Sequence, residues 1–373
     1  MSIRQLLDDE FVNMSKEQEK AERDLLERPN VVGVALGDKI TKGKATGQRA
    51  IQVLVNQKLP TDLLSADAMV EPQIGKYATD VIDVGDIFAQ AIDVVTPGEP
   101  RTRGKNNGTG AARPPSAAMD DVESAPTTVV YPTPPVAYGA ETQVLRQRIR
   151  PVMGGFSVGH PAVTAGTVAT CCYDESAFPG MPSRYYILSN NHVLANSNSA
   201  HLGDPILQPG VYDGGTMPAD VIGRLARFVP IRFHTPTSKP LNYVDAAIAE
   251  VQFHEATREI FWLGYLNRRL PAVLPPLKIG DRLQKTGRTT NFTTGKITSL
   301  NATVDVNYGG GKVARFARQI ITTAMSAGGD SGSIVTDLEE RAVGLLFAGS
   351  STITILNQIG LVQSLLKIRL TEI

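Results

Sequence analysis

Apolar positions fall along this chain in three patterns. Between residues 3 and 28, Leu6, Leu7, Phe11, Met14, Leu25 and Leu26 stand among dense charges at helical spacing, which predicts a surface helix ending before Pro29. The runs 31–36, 50–56 and 77–84 are rich in Val and Ile, and Gly37, Gly43 and Gly47 between the first two fit a glycine-punctuated hairpin. A small α+β unit over residues 1–95 follows from these. From 96 to 148 periodicity disappears into Pro, Gly, Ser, Thr and Asn, the composition of a flexible linker; Arg101, Arg103, Lys105 and Arg113 within it read as a solvated basic stretch. After Arg150 come short apolar runs broken by Gly, Pro, Asn and Asp: AGTVATCCYD, YYILSNN, VDAAIAEV, GKITSLNATVDVNYGGGK, QIITTAM and AVGLLFAG. That spacing predicts a sandwich or barrel. Only 357–373 returns to helical spacing, with Ile359, Val362, Leu365, Leu366 and Ile368 on one stripe, so a closing helix is expected to pack on the last barrel.

Composition narrows the function classes. At 373 residues the chain exceeds what one core usually supports, and 34 Gly with 24 Pro favour short strands and many turns. Lys and Arg balance Asp and Glu at 37 each, so no global field draws the chain to nucleic acid or an anionic membrane. The N-terminal stretch has no basic segment followed by an apolar one, and no apolar run nears the ~18 residues of a membrane helix, which predicts a cytoplasmic protein. The two cysteines, Cys171 and Cys172, are adjacent; neighbouring residues rarely bridge, so a disulfide framework is excluded and two small buried apolar residues are expected. The histidines at 160, 201, 234 and 254 show no metal-binding spacing, so no metal or other cofactor is expected. Residues 37–45 and 308–312 glance at phosphate-binding loops but lack the spacing and the Ser or Thr after lysine; they read as strand connections.

Three segments carry chemistry. His192 follows an apolar strand in YYILSNNHVLA, Asp245 opens the run in NYVDAAIAEV, and Ser331 lies in the glycine-rich turn AGGDSGSIV. A hydroxyl, an imidazole to take its proton and an acid to orient the imidazole are the parts of a nucleophilic serine site. Singly, each has a plainer reading as a structural histidine, a turn aspartate or a loop. Their coincidence at strand ends points to catalysis. The order His, Asp, Ser excludes the α/β-hydrolase and subtilisin arrangements.

In that order the segments resemble the three active-site motifs of the trypsin/chymotrypsin-like serine peptidases. The likeness covers roughly 150–373 and is nearest to the cytoplasmic bacterial and plant narrow-leaf-type proteases, because SNNHVLA, GDPILQPG, VDAAIAEV and GRTT occur together. The resemblance implies a mainly β protein with two six-stranded barrels, about 150–255 and 272–373, in a protease domain over 149–373. It implies His192, Asp245 and Ser331 as triad, and the amides of Gly329 and Ser331 as oxyanion hole. It also implies a specificity pocket based near Met325 and walled by Phe347, Ala348 and Gly349. With no carboxylate there, small or apolar side chains are expected before the scissile bond.

The sequence departs from secreted trypsins. Val193 stands where they have a cysteine, and Ser333-Ile334 follows GDSG. Their new N-terminus pairs with the aspartate before the nucleophile, here Asp330. Residues 152–155 look like that start, but Pro151 precedes them, so activity without such processing, with Asp330 satisfied locally, is expected. The expected function is serine endopeptidase action on protein or peptide substrates through an acyl-enzyme. The alternative is a non-catalytic interaction scaffold on the same fold. Regulation, partner docking or homo-oligomerisation is left open for the N-terminal unit.

Overall fold

The computed structural model describes residues 7–89, 144–175, 182, 184–267 and 276–371. The expected linker, including Arg101, Arg103, Lys105 and Arg113, lies almost wholly outside them.

The chain is mainly β. In the C-terminal half, six antiparallel strands, Arg282–Gly287, Asn291–Asn307, Val313–Thr323, Ile353–Gln358, Ala342–Gly349 and Ile334–Asp337, each pair with the next, and the last pairs back with the first. The ring is closed. A second ring runs through Cys171–Asp174, Tyr185–Ser189, Ala247–Val251, Val221–Phe228 and Pro205–Leu207. It closes where Gly159 and Leu207 exchange backbone hydrogen bonds, and where Gly155 and Phe156 bond across to Val168. Each interior is filled by alternate side chains, as the period of two requires. Cys171 and Cys172 therefore point to opposite faces of their strand; both are buried free thiols, and burial pushes Cys171 up to about 11.

The N-terminal helix spans Asp9–Leu25 and buries Phe11, Met14, Gln18 and Leu25 along one stripe. The Asp8 carboxylate caps it by accepting from the Phe11 N–H at 2.9 Å. Strands Val31–Thr41 and Lys44–Val55 form the expected hairpin, turning at Lys42 and Gly43, both with positive φ. The hairpin does not stand apart from the barrel. Val31–Thr41 pairs antiparallel with the long strand Asn291–Asn307, Gly33 opposite Val304 and Gly37 opposite Ser299. That strand outruns its short partner Arg282–Gly287, and the hairpin covers the edge left over. Helix and barrel also share one core: Phe11, Met14, Val34, Leu36 and Ile51 pack with Leu283, Ile297, Leu300, Val335 and Leu356. Buried Gln18 adds a polar tie, donating to the Asn301 carbonyl at 3.0 Å while Asn301 Nδ2 donates back to Gln18 Oε1 at 3.0 Å.

The closing helix is shorter than its apolar stripe suggests. It spans Ile359–Leu366 and stops at Lys367, whose φ is 55°. Ile368–Arg369 then pairs with Cys171–Asp174 of the first barrel. Val362, Leu366 and Ile368 pack with Cys172, Tyr186 and Leu188 as well as with Ile334 and Leu345, so the C-terminus joins the two barrels and does not cap the second alone.

Because the core is shared, Phe11→Ala, a fully buried truncation costing about 3–5 kcal/mol, is expected to lower hydrogen-exchange protection in Asn291–Asn307 as much as in Val31–Thr41. Loss confined to residues before 56 would contradict a common cooperative unit.

Candidate active site

His192 lies in the one-turn helix Asn191–Leu194, which leaves the end of strand Tyr185–Ser189. Two asparagines hold this corner. Asn190 Nδ2 donates to the Asp245 carbonyl at 2.7 Å, and Asn191 Nδ2 donates to the Val229 carbonyl at 2.7 Å. Asp245 precedes the neighbouring strand Ala247–Val251, and its own N–H is taken by Asn357 Oδ1 at 2.9 Å. The two strands are adjacent in the ring, which brings the side chains together.

Asp245 is wholly buried, and its carboxylate accepts three hydrogen bonds. Oδ1 accepts the His192 backbone N–H at 3.1 Å; Oδ2 accepts His192 Nδ1 at 2.6 Å and the Tyr308 hydroxyl at 2.7 Å. A carboxylate can only accept, so Nδ1 carries a proton, and it is Nε2 that a neutral ring would leave with its lone pair. Nε2 is buried and has no partner among the described residues. Tyr308 is held as a donor: burial, then the Asp245 charge and the hydrogen bond to it, push its hydroxyl well above the usual tyrosine range. Its ring meets that of His192 edge-on at 6.0 Å and also contacts Phe233 and Phe316.

Ser331 is contributed by the second barrel and docked on the first. Its carbonyl accepts the Thr167 N–H at 2.7 Å, and Thr167 Oγ1 donates to the Gly329 carbonyl at 2.8 Å. Gly166 permits this approach. A Cβ there would stand 2.4 Å from Val193 Cγ2 and 3.0 Å from the Ser331 carbonyl oxygen, so the residue after His192 and the backbone of Ser331 meet across one hydrogen atom. Ser331 Oγ donates to the Phe347 carbonyl at 3.3 Å, a long bond that a serine exchanges easily for a better acceptor. Gly329 and Gly332 have φ of 94° and 95°, a backbone that glycine adopts without strain. In this turn the N–H groups of Asp330 and Gly332 are bonded to backbone carbonyls, whereas among the described residues those of Gly329 and Ser331 have no acceptor. Two free donors thus flank the serine.

Asp330, the residue before the nucleophile, is satisfied locally as the sequence suggests, by a residue the motifs do not mark. Lys285 Nζ lies 3.1 Å from Oδ2, and both side chains are fully buried. The Thr290 hydroxyl and the Ala327 N–H also reach Oδ2, while the N–H groups of Thr289 and Thr290 reach Oδ1. Burial by itself would raise Asp330; the Lys285 charge and these hydrogen bonds outweigh it and hold the carboxyl below its usual range. Burial pushes Lys285 down, only partly countered by Asp330. Beside them Arg288 pairs with Asp213 of the first barrel at 2.5 Å, both buried, next to the space over Gly329. Val152, at the trypsin-like start, is buried in a strand paired with Ala256–Ile260.

The specificity residues are less tightly gathered. Phe347 and Ala348 are buried beside Ser331, but the Phe347 ring turns into the core against Phe316 at 4.8 Å. Met325 packs in the other core cluster; its N–H is bound by Thr354 Oγ1 at 3.0 Å, and Thr354 Oγ1 also meets Ser326 Oγ at 2.7 Å. Tyr308, Lys285, Asn190, Asn357 and Thr167 are the site residues that motif reading misses. For Lys285 a signal existed: in RLQKTG the period of two puts it on the same face as buried Leu283.

No family model matches the chain. Over 151 residues it is 32% identical to glutamyl endopeptidase 2 of Streptomyces griseus, covering 40% of this chain and 64% of that protein. The resemblance to trypsin-like serine peptidases is borne out in sequence. The chain spans less than two thirds of that relative's length. Among solved structures, Thermobifida fusca protease A is 15% identical over 59% of this chain and 98% of its own, with a TM-score of 0.39. A glutamic-acid-specific serine protease, described as using a histidine triad in substrate binding, is 22% identical over 58% of this chain and 98% of its own, with a TM-score of 0.38.

Removing one member of a buried ion pair leaves the other uncompensated, so Lys285→Met is expected to cost about 3–5 kcal/mol in urea unfolding at neutral pH. Asp330 is depressed in the folded state, so its contribution is full above the unfolded carboxylate range and disappears as pH falls through its folded value. The gap between wild type and variant should therefore narrow on acidification. Equal unfolding midpoints at neutral pH would contradict the pairing.

Proposed function

We propose that this protein is a serine endopeptidase in which Ser331 attacks the scissile carbonyl. His192 takes the serine proton at Nε2 and returns it to the leaving amine, and Asp245 fixes the ring and balances its charge once protonated. The Gly329 and Ser331 amides hold the oxyanion of the tetrahedral intermediate and of acyl-enzyme formation and hydrolysis. The observation that carries this reading is the buried, unpartnered His192 Nε2 whose opposite nitrogen is bound to Asp245 at 2.6 Å. His234 Nε2 is also buried without a hydrogen bond among the described residues, so it is the Asp245 carboxylate on the opposite nitrogen that sets His192 apart. The Streptomyces griseus relative is an endopeptidase, which supports the same conclusion.

For the residue before the scissile bond we propose small or apolar side chains, in contrast to the glutamyl relative. A buried glutamate side chain requires a cation or a set of donors. Segments 325–327 and 347–349, with Thr354, carry no Lys, Arg or His; Thr354 Oγ1 accepts the Met325 N–H and shares one hydrogen bond with Ser326 Oγ, so the pair leaves a single hydroxyl donor and no charge to meet a carboxylate.

A fluorophosphonate probe is expected to label the folded wild-type protein on Ser331, with no labelling in Ser331→Ala; a folded wild type that never labels favours a non-catalytic scaffold. Tyr308→Phe deletes a donor to a buried carboxylate, a hydrogen bond of about 1.5–3 kcal/mol. We expect it to lower kcat roughly ten- to a hundredfold while KM and the folded structure are kept. Unchanged kcat would remove Tyr308 from the site.

A further inference from the structure

The strand that passes the nucleophile is already paired on both sides. One side of Ala342–Gly349 is bonded within the barrel, with Ala348 opposite Ile355 and Gly349 opposite Thr354. The other side, at its end nearest Ser331, is taken by Phe88–Ala89 from the N-terminal part of the chain. The pairing is antiparallel, with Gly349 opposite Phe88 and Ala348 opposite Ala89. As the segment advances from 88 to 89 its partners descend from 349 to 348, toward Phe347, whose carbonyl lies 3.3 Å from Ser331 Oγ. The segment is held firmly. The Ile87 carbonyl accepts the Asn307 N–H at 2.9 Å, and the Val84 carbonyl accepts Thr352 Oγ1 at 3.2 Å. Val84, Ile87 and Ala89 are buried in the cluster containing Phe316, Phe347, Ala348 and Ile353.

An extended peptide presented to a serine at the end of a sheet strand binds by adding a strand to that edge, main-chain bonds giving affinity and side-chain pockets giving selectivity. We propose that residues 87–89 occupy the edge on which a substrate backbone would lie, running in the direction that delivers a carbonyl to Ser331. The N-terminal unit is thus an intramolecular occupant of the substrate cleft, and an extended apolar peptide docks only by displacing it. The proposal rests on the peptidase reading. It also names what the cleft accepts: an antiparallel strand with a small side chain opposite Ala348 and a branched apolar one two residues earlier, as Ala89 and Ile87 provide.

A competitor held in place lowers apparent affinity by the fraction of molecules in which the cleft is open. In the full chain, Ile87→Asp, which a buried apolar site rejects, and separately Phe88→Pro, which removes a strand N–H, should each release the edge. Acetyl-Ala-Ala-Ala-p-nitroanilide needs the edge; p-nitrophenyl acetate needs only the nucleophile. We expect each variant to raise kcat/KM for the peptide about tenfold or more through a lower KM, consistent with an occupant present in about 90% of molecules, while ester hydrolysis is unchanged. A synthetic peptide of residues 84–89 should then inhibit the released variants competitively against the peptide and leave the ester rate alone. Unchanged peptide kinetics in folded variants that still hydrolyse the ester, or no inhibition by the added peptide, overturns the proposal and leaves the peptidase reading intact. Hydrolysis of neither substrate by wild type or variants overturns both.

Discussion

The structure depends on one buried negative charge. Asp245 has no solvent, so its carboxylate must find its donors in the protein, and the groups that meet it come from distant parts of the sequence: His192 from the first barrel and Tyr308 from the second. An unpaired carboxylate in such a place would shed its charge or unfold its surroundings. Satisfying it fixes a proton on Nδ1 and leaves Nε2 without a partner among the described residues. The same residue is bound through its backbone to Asn190 and Asn357, so the two barrels cannot move apart without exposing it.

The second barrel answers with a charge of its own. Asp330 is as buried as Asp245, and Lys285 with the Thr289-Thr290 turn neutralises it. That network shapes the turn on which Ser331 sits, with Thr167 of the first barrel bonded to the carbonyls of Gly329 and Ser331 across the seam. The two networks fix the His192 ring on one barrel and the Ser331 turn on the other.

The pairing of His192 with Asp245 was legible in the sequence because they follow or open apolar strands in motifs with fixed local geometry, and the barrel runs were legible from their period and punctuation. Tyr308 was not, because its partner is far away in sequence and a tyrosine before Gly309-Gly310-Gly311 reads as a loop residue until the strands are closed into a ring. The merging of hairpin and barrel was equally hidden: the apolar face of 31–36 shows that it must be covered, but not that the surplus length of Asn291–Asn307 covers it. The helix at 359–366 was read too long because Ile368 continues the apolar stripe while serving a strand.

The most direct test of this arrangement is the protonation of the His192 ring in the resting protein, read by 15N and 1H NMR of histidine-labelled wild type and Asp245→Asn. We expect a neutral ring carrying its proton on Nδ1, seen as a strongly downfield, exchange-protected resonance that vanishes in Asp245→Asn. A ring protonated on Nε2, or an Nδ1 proton unaffected by the substitution, would contradict a carboxylate-oriented base.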